Sequence, residues 1–91
     1  MPNVHFTTHL QRFFPTLEQG LEANGQTVAE VVRSLEQQHP GFAAYVVDER
    51  GALRKHVNIF VDEELVTDRE RLSDVVGQKT RVFIFQALSG G

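Results

Sequence analysis

The beginning of the chain alternates between apolar and polar side chains with a period of two. The positions on one face are Val4, Phe6, Thr8 and Leu10, and those on the other are His5, Thr7 and His9. This alternation predicts a half-buried strand. Pro15, Gly20 and the pair Asn24-Gly25 then interrupt a segment too short for a helix, so we expect the chain to turn back on itself as a hairpin.

The next segment, TVAEVVRSLEQQHPG, changes to the period of a helix. Thr27 and Glu30 are three residues apart and predict a capping box, which satisfies backbone amides at the start of the helix. Pro40 and Gly41 end the helix, because proline cannot continue its hydrogen-bond ladder. The apolar stripe of the helix is Val28, Val31, Val32 and Leu35.

The second half of the chain is richer in strand patterns. Strands are expected at residues 44–47 and 53–61, with a turn at residues 48–51, and the run RVFIFQ at residues 81–86 predicts the last strand. The polar connection at residues 63–80 is typical of a loop with a short helical turn. Its expected apolar anchors are Leu65, Val66, Leu72 and Val75.

These elements predict an α+β domain in which one main helix packs across a mixed sheet of four to five strands. The strand residues expected beneath the helix are Val4, Phe6, Val57, Ile59, Val61, Val82 and Ile84. The opposite face of the sheet carries Phe60, Phe83 and Phe85, and we expect these rings to form a partner-docking surface. The alternative is that they pack under the 63–80 connection.

Composition narrows the functional classes. The chain has 91 residues, of which 41% are hydrophobic, and no cysteine, so one small domain with a modest core is expected, and binding or carrier roles are favoured over an enzyme with its own cleft. A net charge of −3 with scattered basic residues argues against nucleic-acid binding. No signal peptide or membrane-spanning run is found in the sequence, which favours a cytoplasmic protein with no membrane partner.

The sequence contains no convincing catalytic or metal-binding motif. His5 and His9 would share a strand face, but four residues along a strand span roughly 13 Å, too far for two ligands of one ion. The acidic run of residues 62–64 lacks a second cluster to complete a metal shell, and residues 77–80 lack the glycine pattern of a phosphate-binding loop. We therefore expect no metal, and no catalyst within the chain.

The sequence ends in QALSGG, directly after the last predicted strand. Glycine has no Cβ, so two glycines in a row make a thin thread that can enter a narrow pocket of another protein. This suits delivery of the Gly91 carboxylate to a nucleotide phosphate, with Gly90 as the neck. The residues expected to lead the tail into the partner are Ala87, Leu88 and Ser89.

The chain resembles the MoaD/ThiS family of sulfur carriers over essentially its whole length. The most specific segments are Gly25-x-Thr27-Val28, the Gly51 turn with Leu53-Arg54, the strand at residues 57–61, and the terminal Gly90-Gly91 after a small residue. The resemblance implies a ubiquitin-like β-grasp domain at residues 1–86 and a flexible Gly-Gly tail at residues 87–91.

The resemblance also implies a chemistry. The last glycine would be adenylated by a ubiquitin-activating-type partner that uses ATP, and sulfur would then replace AMP to give a C-terminal thiocarboxylate. A sulfur-accepting biosynthetic enzyme of a molybdopterin-, thiamin- or cysteine-type pathway would be the second partner, and no cofactor would be bound stably. The chain itself would be a carrier and not an enzyme.

Two turns depart from the family pattern. Asp62-Glu63 stands where many members have Asn-Gly, and Gly77-Gln78-Lys79 stands where many have Gly-Asp. Both changes alter surface charge near the expected docking face and so bear on which partner binds. Two alternatives to the carrier remain open: a ubiquitin-like modifier joined to lysines of target proteins through Gly91, and a plain interaction domain with an incidental tail.

Overall fold

A computed structural model describes residues 1–86, which form three helices and a mixed five-stranded sheet. The strands are β1 (Asn3–Phe6), β2 (Leu21–Glu22), β3 (Val57–Val61), β4 (Glu64–Leu65) and β5 (Arg81–Gln86). The helices are α1 (Thr8–Phe13), α2 (Val28–Gln38) and α3 (Phe42–Val46). The strand order is β2-β1-β5-β3-β4, and β1 runs parallel to β5 while the other neighbours are antiparallel.

The three central strands are in a register that puts their apolar positions on one face. Val4 pairs with Val82 across β1 and β5, and Ile59 pairs with Ile84 across β3 and β5. All four side chains are fully buried, whereas the residues between them along each strand are not. The alternation of the sequence therefore becomes an inner face that packs on α2 and an outer face that faces away from it.

Helix α2 is formed as its sequence predicts. The Thr27 hydroxyl oxygen accepts the N–H of Glu30 at 3.3 Å, and the Glu30 carboxylate accepts the N–H of Gln26 at 3.1 Å. Two orphan amides at the helix start are thus satisfied, although the second belongs to Gln26 rather than to the cap residue. The predicted stripe is confirmed, because its four members are buried in the same core as the inner face of the sheet: Val28, Val31, Val32 and Leu35.

The predicted strand at the start of the chain is too long. It ends at Phe6, because Thr7 donates its N–H to the carbonyl of Ile84 and its own carbonyl then accepts from Leu10, which begins α1. The chain still returns as a hairpin, since β2 pairs antiparallel with β1. Leu10 is therefore buried as part of a helix and not of a strand. Residues 15–25, which were predicted to be too short for a helix, contain none.

The strand predicted at residues 44–47 is wrong, because this region is α3. Phe42 and Val46 lie four residues apart on one side of that helix, and both are fully buried. The Glu36 carboxylate accepts the N–H groups of Gly41 and Ala43, which satisfies amides at the helix start. The predicted turn at residues 48–51 is present, but the strand that follows begins at Val57 and not at residue 53, where only an isolated bridge forms.

The 63–80 connection contains the short strand β4 and, at residues 68–72, the predicted helical turn, which the N–H of Leu72 closes on the carbonyl of Asp68 at 2.9 Å. Two predicted anchors, Val66 and Leu72, are buried, but Leu65 and Val75 are exposed. Val76 is buried in place of its neighbour, because Val75 pairs with Thr27 in an isolated bridge that turns its side chain to solvent. In an irregular segment, periodicity does not show which side chains point into the core. Here the backbone contacts of the segment determine which side chains are buried.

Candidate functional site

An aromatic cluster covers the outer face of the sheet. Phe83 and Phe85 have parallel rings with centroids 6.2 Å apart, and the Phe60 ring meets that of Phe85 edge-on at 5.6 Å. Phe85 is 41% exposed and the other two rings are partly exposed. All three predicted docking residues are therefore brought together, on the face opposite α2.

The 63–80 connection does not cover these rings. Its buried side chains, Val66, Leu72 and Val76, belong to the main core, and the carbonyls of Leu72 and Asp74 accept N–H groups from the first turn of α2. The buried side chains of the connection thus lie on the helix side of the sheet. The outer face is left with an apolar surface, and its role in docking stays a prediction.

Two polar side chains complete the outer face. The His5 ring stacks on Phe83 with centroids 4.9 Å apart, and Asn58 pairs in register with Phe85. The side chain of His5 is half-buried against the Phe83 ring. The signal was present in the alternation, because every second residue of β1 and β3 must share the face of Phe83. His9, expected on the same strand face, falls within α1.

An acidic turn borders the aromatic cluster. Asp62 lies between β3 and β4 in the left-handed region, with φ of 56°, and its carboxylate accepts the N–H of Arg81 at 3.0 Å. Glu63 and Glu64 follow and are exposed. A shallow depression of about 520 Å³ extends from this turn over the aromatic rings. A partner that docks here would meet an apolar centre with carboxylates at one end.

The end of β5 is held by its neighbours. Gln86, the last described residue, pairs with Val57 at the start of β3. The Arg69 guanidinium donates to the carbonyl of Arg54 at 2.8 Å, to that of Val57 at 3.0 Å and to the side chain of Asn58 at 3.1 Å. One arginine from the 63–80 connection therefore fixes the strand against which β5 ends. The predicted tail residues lie outside the described residues: Ala87, Leu88, Ser89, Gly90 and Gly91.

Two aspartates organise the 63–80 connection. The Ser73 hydroxyl and the backbone N–H of Arg71 donate to Asp68 and lower the pKa of its carboxyl group. Partial desolvation raises the pKa of Asp74, but hydrogen bonds from the backbone and hydroxyl of Thr67 outweigh it, so the pKa of Asp74 is also lowered. Both carboxylates are structural acceptors in a loop that otherwise leaves many amides without ladder partners.

The described part of the chain holds neither a group of possible metal ligands nor a helix that could span a membrane. Within residues 1–86, no three His, Asp or Glu side chains come together as a possible metal site. In the same part of the chain, no helix has both the length and the apolar character needed to cross a membrane.

Comparison with protein families decides the identity. The model of the ThiS family matches residues 4–91, which is nearly the whole chain. The chain belongs to the ThiS family. As a ThiS-family protein, it is a ubiquitin-like sulfur carrier with the β-grasp fold, and the small carriers of this kind are generally not enzymes. A comparison with curated protein sequences gives no match.

Solved structures agree with the ThiS-family assignment. A chain in the crystal structure of the BexX/CysO complex of Amycolatopsis orientalis is 29% identical, with a TM-score of 0.85 and full coverage of both chains. CysO of Mycobacterium tuberculosis is 26% identical, with a TM-score of 0.83, and the match covers 97% of this chain and 100% of that one. SAMP1 of Haloferax volcanii, at 19% identity, TM-score 0.75 and coverage of 99% and 98%, shares the fold.

Proposed function

We propose that this protein carries sulfur as a thiocarboxylate on Gly91. In this proposal residues 1–86 are the domain that partners recognise, and residues 87–91 are the tail that reacts. Gly91 supplies the carboxylate, Gly90 provides a neck without side chains, and Ala87 to Ser89 lead the tail into the active site of an activating enzyme.

The observation that carries the proposal is the extent of the family match, which continues through the Gly-Gly pair to residue 91. The position of the aromatic cluster supports it as well. Phe83 and Phe85 lie on β5, the strand that leads into the tail, so a partner that docks on this face would be close to the tail. Apolar rings grouped near the centre of an exposed face are typical of residues that dominate binding energy.

The proposed chemistry takes two steps. The Gly91 carboxylate oxygen attacks the α-phosphorus of ATP bound to a ubiquitin-activating-type partner, which forms an acyl adenylate and releases pyrophosphate. Hydrosulfide then attacks the acyl carbon, and AMP leaves with the bonding electron pair, so that the carboxylate becomes a thiocarboxylate. The role of the carrier in these steps is to place its terminal carboxylate in the active site of the partner, because effective catalysis requires the reacting atoms to be held close together.

The chain would then deliver the sulfur to a second protein, a sulfur-accepting biosynthetic enzyme. No resident cofactor is needed on the carrier, because ATP is bound and used by the activating partner. The BexX/CysO complex shows that a protein similar to this one assembles with another protein. We propose partners of these two kinds for this chain.

Intact-mass measurement tests the proposal. The protein is incubated with the activating enzyme of its host, ATP and sulfide, and the expected product is heavier by one exchange of oxygen for sulfur. Exchange of labelled pyrophosphate into ATP reports the adenylation step alone. Deleting Gly91 should abolish both results, because it withdraws the carboxylate from the reaction centre.

Gly77→Ala is the matched control, because a Cβ there would meet its nearest neighbour, Thr80 Oγ1, at an ordinary 3.5 Å. This variant should react as the wild type does. Equal pyrophosphate exchange by the wild type and the Gly91 deletion would reduce the two glycines to an incidental tail. Gly-Gly remnants on lysines of host proteins, without a thiocarboxylate, would instead identify the chain as a protein modifier.

A further inference from the structure

Helix α1 begins at the edge of the sheet where the last strand ends. Strands β1 and β5 are parallel, with Phe6 in register with Ile84. Helix α1 starts at Thr8, almost directly after β1, and the chain leaves β5 at Gln86. The short helix and the start of the tail are therefore neighbours at one end of the molecule.

A small cleft lies beside Gln86 at this end, with a volume of about 310 Å³. Gln86 is two residues from the fully buried Ile84, and its side-chain oxygen is buried, so its side chain is on the helix side of the sheet. Phe85 is on the opposite side. The residues that line the cleft are Gly41, Ala44, Tyr45, Arg54, His56 and Gln86.

Packed aromatic rings hold Tyr45 in position at this cleft. The Tyr45 ring contacts Phe14 edge-on at 5.5 Å, and Phe14 in turn contacts the fully buried Phe42 at 5.7 Å. On its outer side, the Tyr45 ring lies 4.9 Å from the ring of Phe13, which is 49% exposed. Tyr45 and Phe13 thus form a partly exposed aromatic surface that is anchored to the core.

The helix that carries Tyr45 is also fixed from the other side. The Arg54 Nε–H group donates to the carbonyl of Ala44 at 2.8 Å, which ties α3 to the segment before β3. The Tyr45 hydroxyl has no hydrogen bond within residues 1–86. Tyrosine combines an apolar ring with a polar tip, and this combination is typical of residues in protein interfaces.

The proposed function requires a partner to approach this end of the molecule. The carboxylate of Gly91 is separated from Gln86 by residues 87–91, and five fully extended residues span at most roughly 17 Å. An enzyme that takes this carboxylate into a recessed pocket must therefore bring the walls of the pocket against the domain around Gln86. One wall would meet Phe85, and the opposite wall would meet the cleft.

We infer that the activating enzyme docks on Tyr45 and Phe13 as well as on the outer aromatic face, so that it contacts the domain on both sides of the tail. The surface of the enzyme that fits here is apolar and carries a hydrogen-bond acceptor for the Tyr45 hydroxyl. This inference rests on the proposed function and adds a second contact to it. Contacts on both sides fix the direction in which the tail enters the active site, and the reaction rate depends on such placement.

Pyrophosphate exchange with the purified activating enzyme of the host, measured over a range of carrier concentrations, tests the inference. Ala44→Gln adds a neutral side chain at an exposed position of the cleft. The melting temperature should stay unchanged, while the KM for the carrier should rise at least about tenfold with little change in kcat. Val75→Gln is the matched control, because Val75 is 78% exposed and pairs with Thr27 beside the start of α2. It should keep the wild-type KM.

Photocrosslinking gives a second measurement that does not depend on turnover. The photoreactive amino acid p-benzoylphenylalanine in place of Phe13 should crosslink the carrier to the activating enzyme, whereas the same amino acid in place of Val75 should not. The inference is overturned if Ala44→Gln and Val75→Gln have equal KM values, if the two crosslinking positions give equal yields, or if position 13 crosslinks two copies of this chain instead.

Failure of the proposed function gives a different result. In that case the wild type supports no exchange, or supports it equally well after deletion of Gly91, and the inference falls with the proposed function. Exchange that depends on Gly91 but is insensitive to Ala44→Gln overturns the inference alone.

Discussion

Phe83 and Phe85 lie two residues apart on β5 with their rings nearly parallel, at an interplanar angle of 9° and a centroid distance of 6.2 Å. Residues that alternate along a strand share one face, so this strand carries a pair of outward rings and, between them, the fully buried Ile84. The same strand therefore builds the core with one face and a candidate docking surface with the other.

Replacing Phe85 with serine should separate these two roles. Because Phe85 is 41% exposed, we expect little change in melting temperature but a clear rise in the KM of the activating enzyme for the carrier. Val75→Ser is the control, since Val75 is 78% exposed and lies in the 63–80 connection. If the two variants are activated equally well, the outer face does not dock the activating enzyme.

Replacing Leu35 tests whether the apolar stripe of α2 is part of the core. It is fully buried between α2 and the sheet, so Leu35→Ala should lower the free energy of unfolding by about 2 to 5 kcal/mol through lost burial and a residual cavity. Chemical denaturation measures this directly. The exposed Gln37, two residues further along the same helix, gives the control Gln37→Ala, which should be nearly neutral. A Leu35 variant as stable as this control would contradict the packing.

Residue 25 must be a glycine because its backbone lies in close contact with the start of α2. A Cβ at this position would lie 2.8 Å from the backbone nitrogen of Val31 and 3.0 Å from side-chain atoms of Glu30 and Val31. Gly25→Ala should therefore cost about 1 to 3 kcal/mol of stability, because a backbone atom cannot move aside cheaply. Gly77→Ala, with its nearest neighbour at 3.5 Å, should cost much less in the same denaturation experiment. Equal costs would show that the helix start can shift.

The lowered pKa values of Asp68 and Asp74 predict a loss of stability in acid. A carboxyl group whose pKa is lower in the folded state stabilises the fold above its unfolded pKa, and this contribution disappears as the pH falls through the folded pKa. Denaturation experiments between about pH 6 and pH 2 should therefore show that the free energy of unfolding decreases as the pH is lowered. The double variant D68N/D74N should be less stable near neutral pH and should lose less on acidification. Parallel curves for the two proteins would refute the assignment.

Arg69 should control the order of the strand end that precedes the tail. Arg69→Ala removes three hydrogen bonds to residues 54–58, which should cost about 1 to 3 kcal/mol and increase amide hydrogen exchange in β3 and at Gln86. Arg71→Ala is the neighbouring control, since its guanidinium has no hydrogen bond within residues 1–86. Unchanged exchange at Gln86 in the Arg69 variant would show that β5 is held without this arginine.

Part of this protein follows from local sequence alone. The cap and stripe of α2 and the alternation in β3 and β5 each involve residues close together in the chain, so periodicity identifies them directly. The same alternation assigns Phe60, Phe83 and Phe85 to the outer face, and the terminal glycines are visible without any structure. These features also carry the family resemblance, which the match over residues 4–91 confirms.

Tertiary contacts decided the short elements. Helices α1 and α3 have six and five residues, which is too few for either to be stable alone. They form because apolar residues meet around Phe42 of α3. The Phe42 ring contacts Phe6 of β1 edge-on at 5.8 Å and Phe14, at the end of α1, edge-on at 5.7 Å. Residues distant in sequence likewise decided that Leu72 is buried with a positive φ of 53°. The periodicity of a long helix or strand shows which of its faces is buried. A short segment has too few local interactions to fix its own conformation, so its contacts with the assembled core determine whether it is helix, strand or turn.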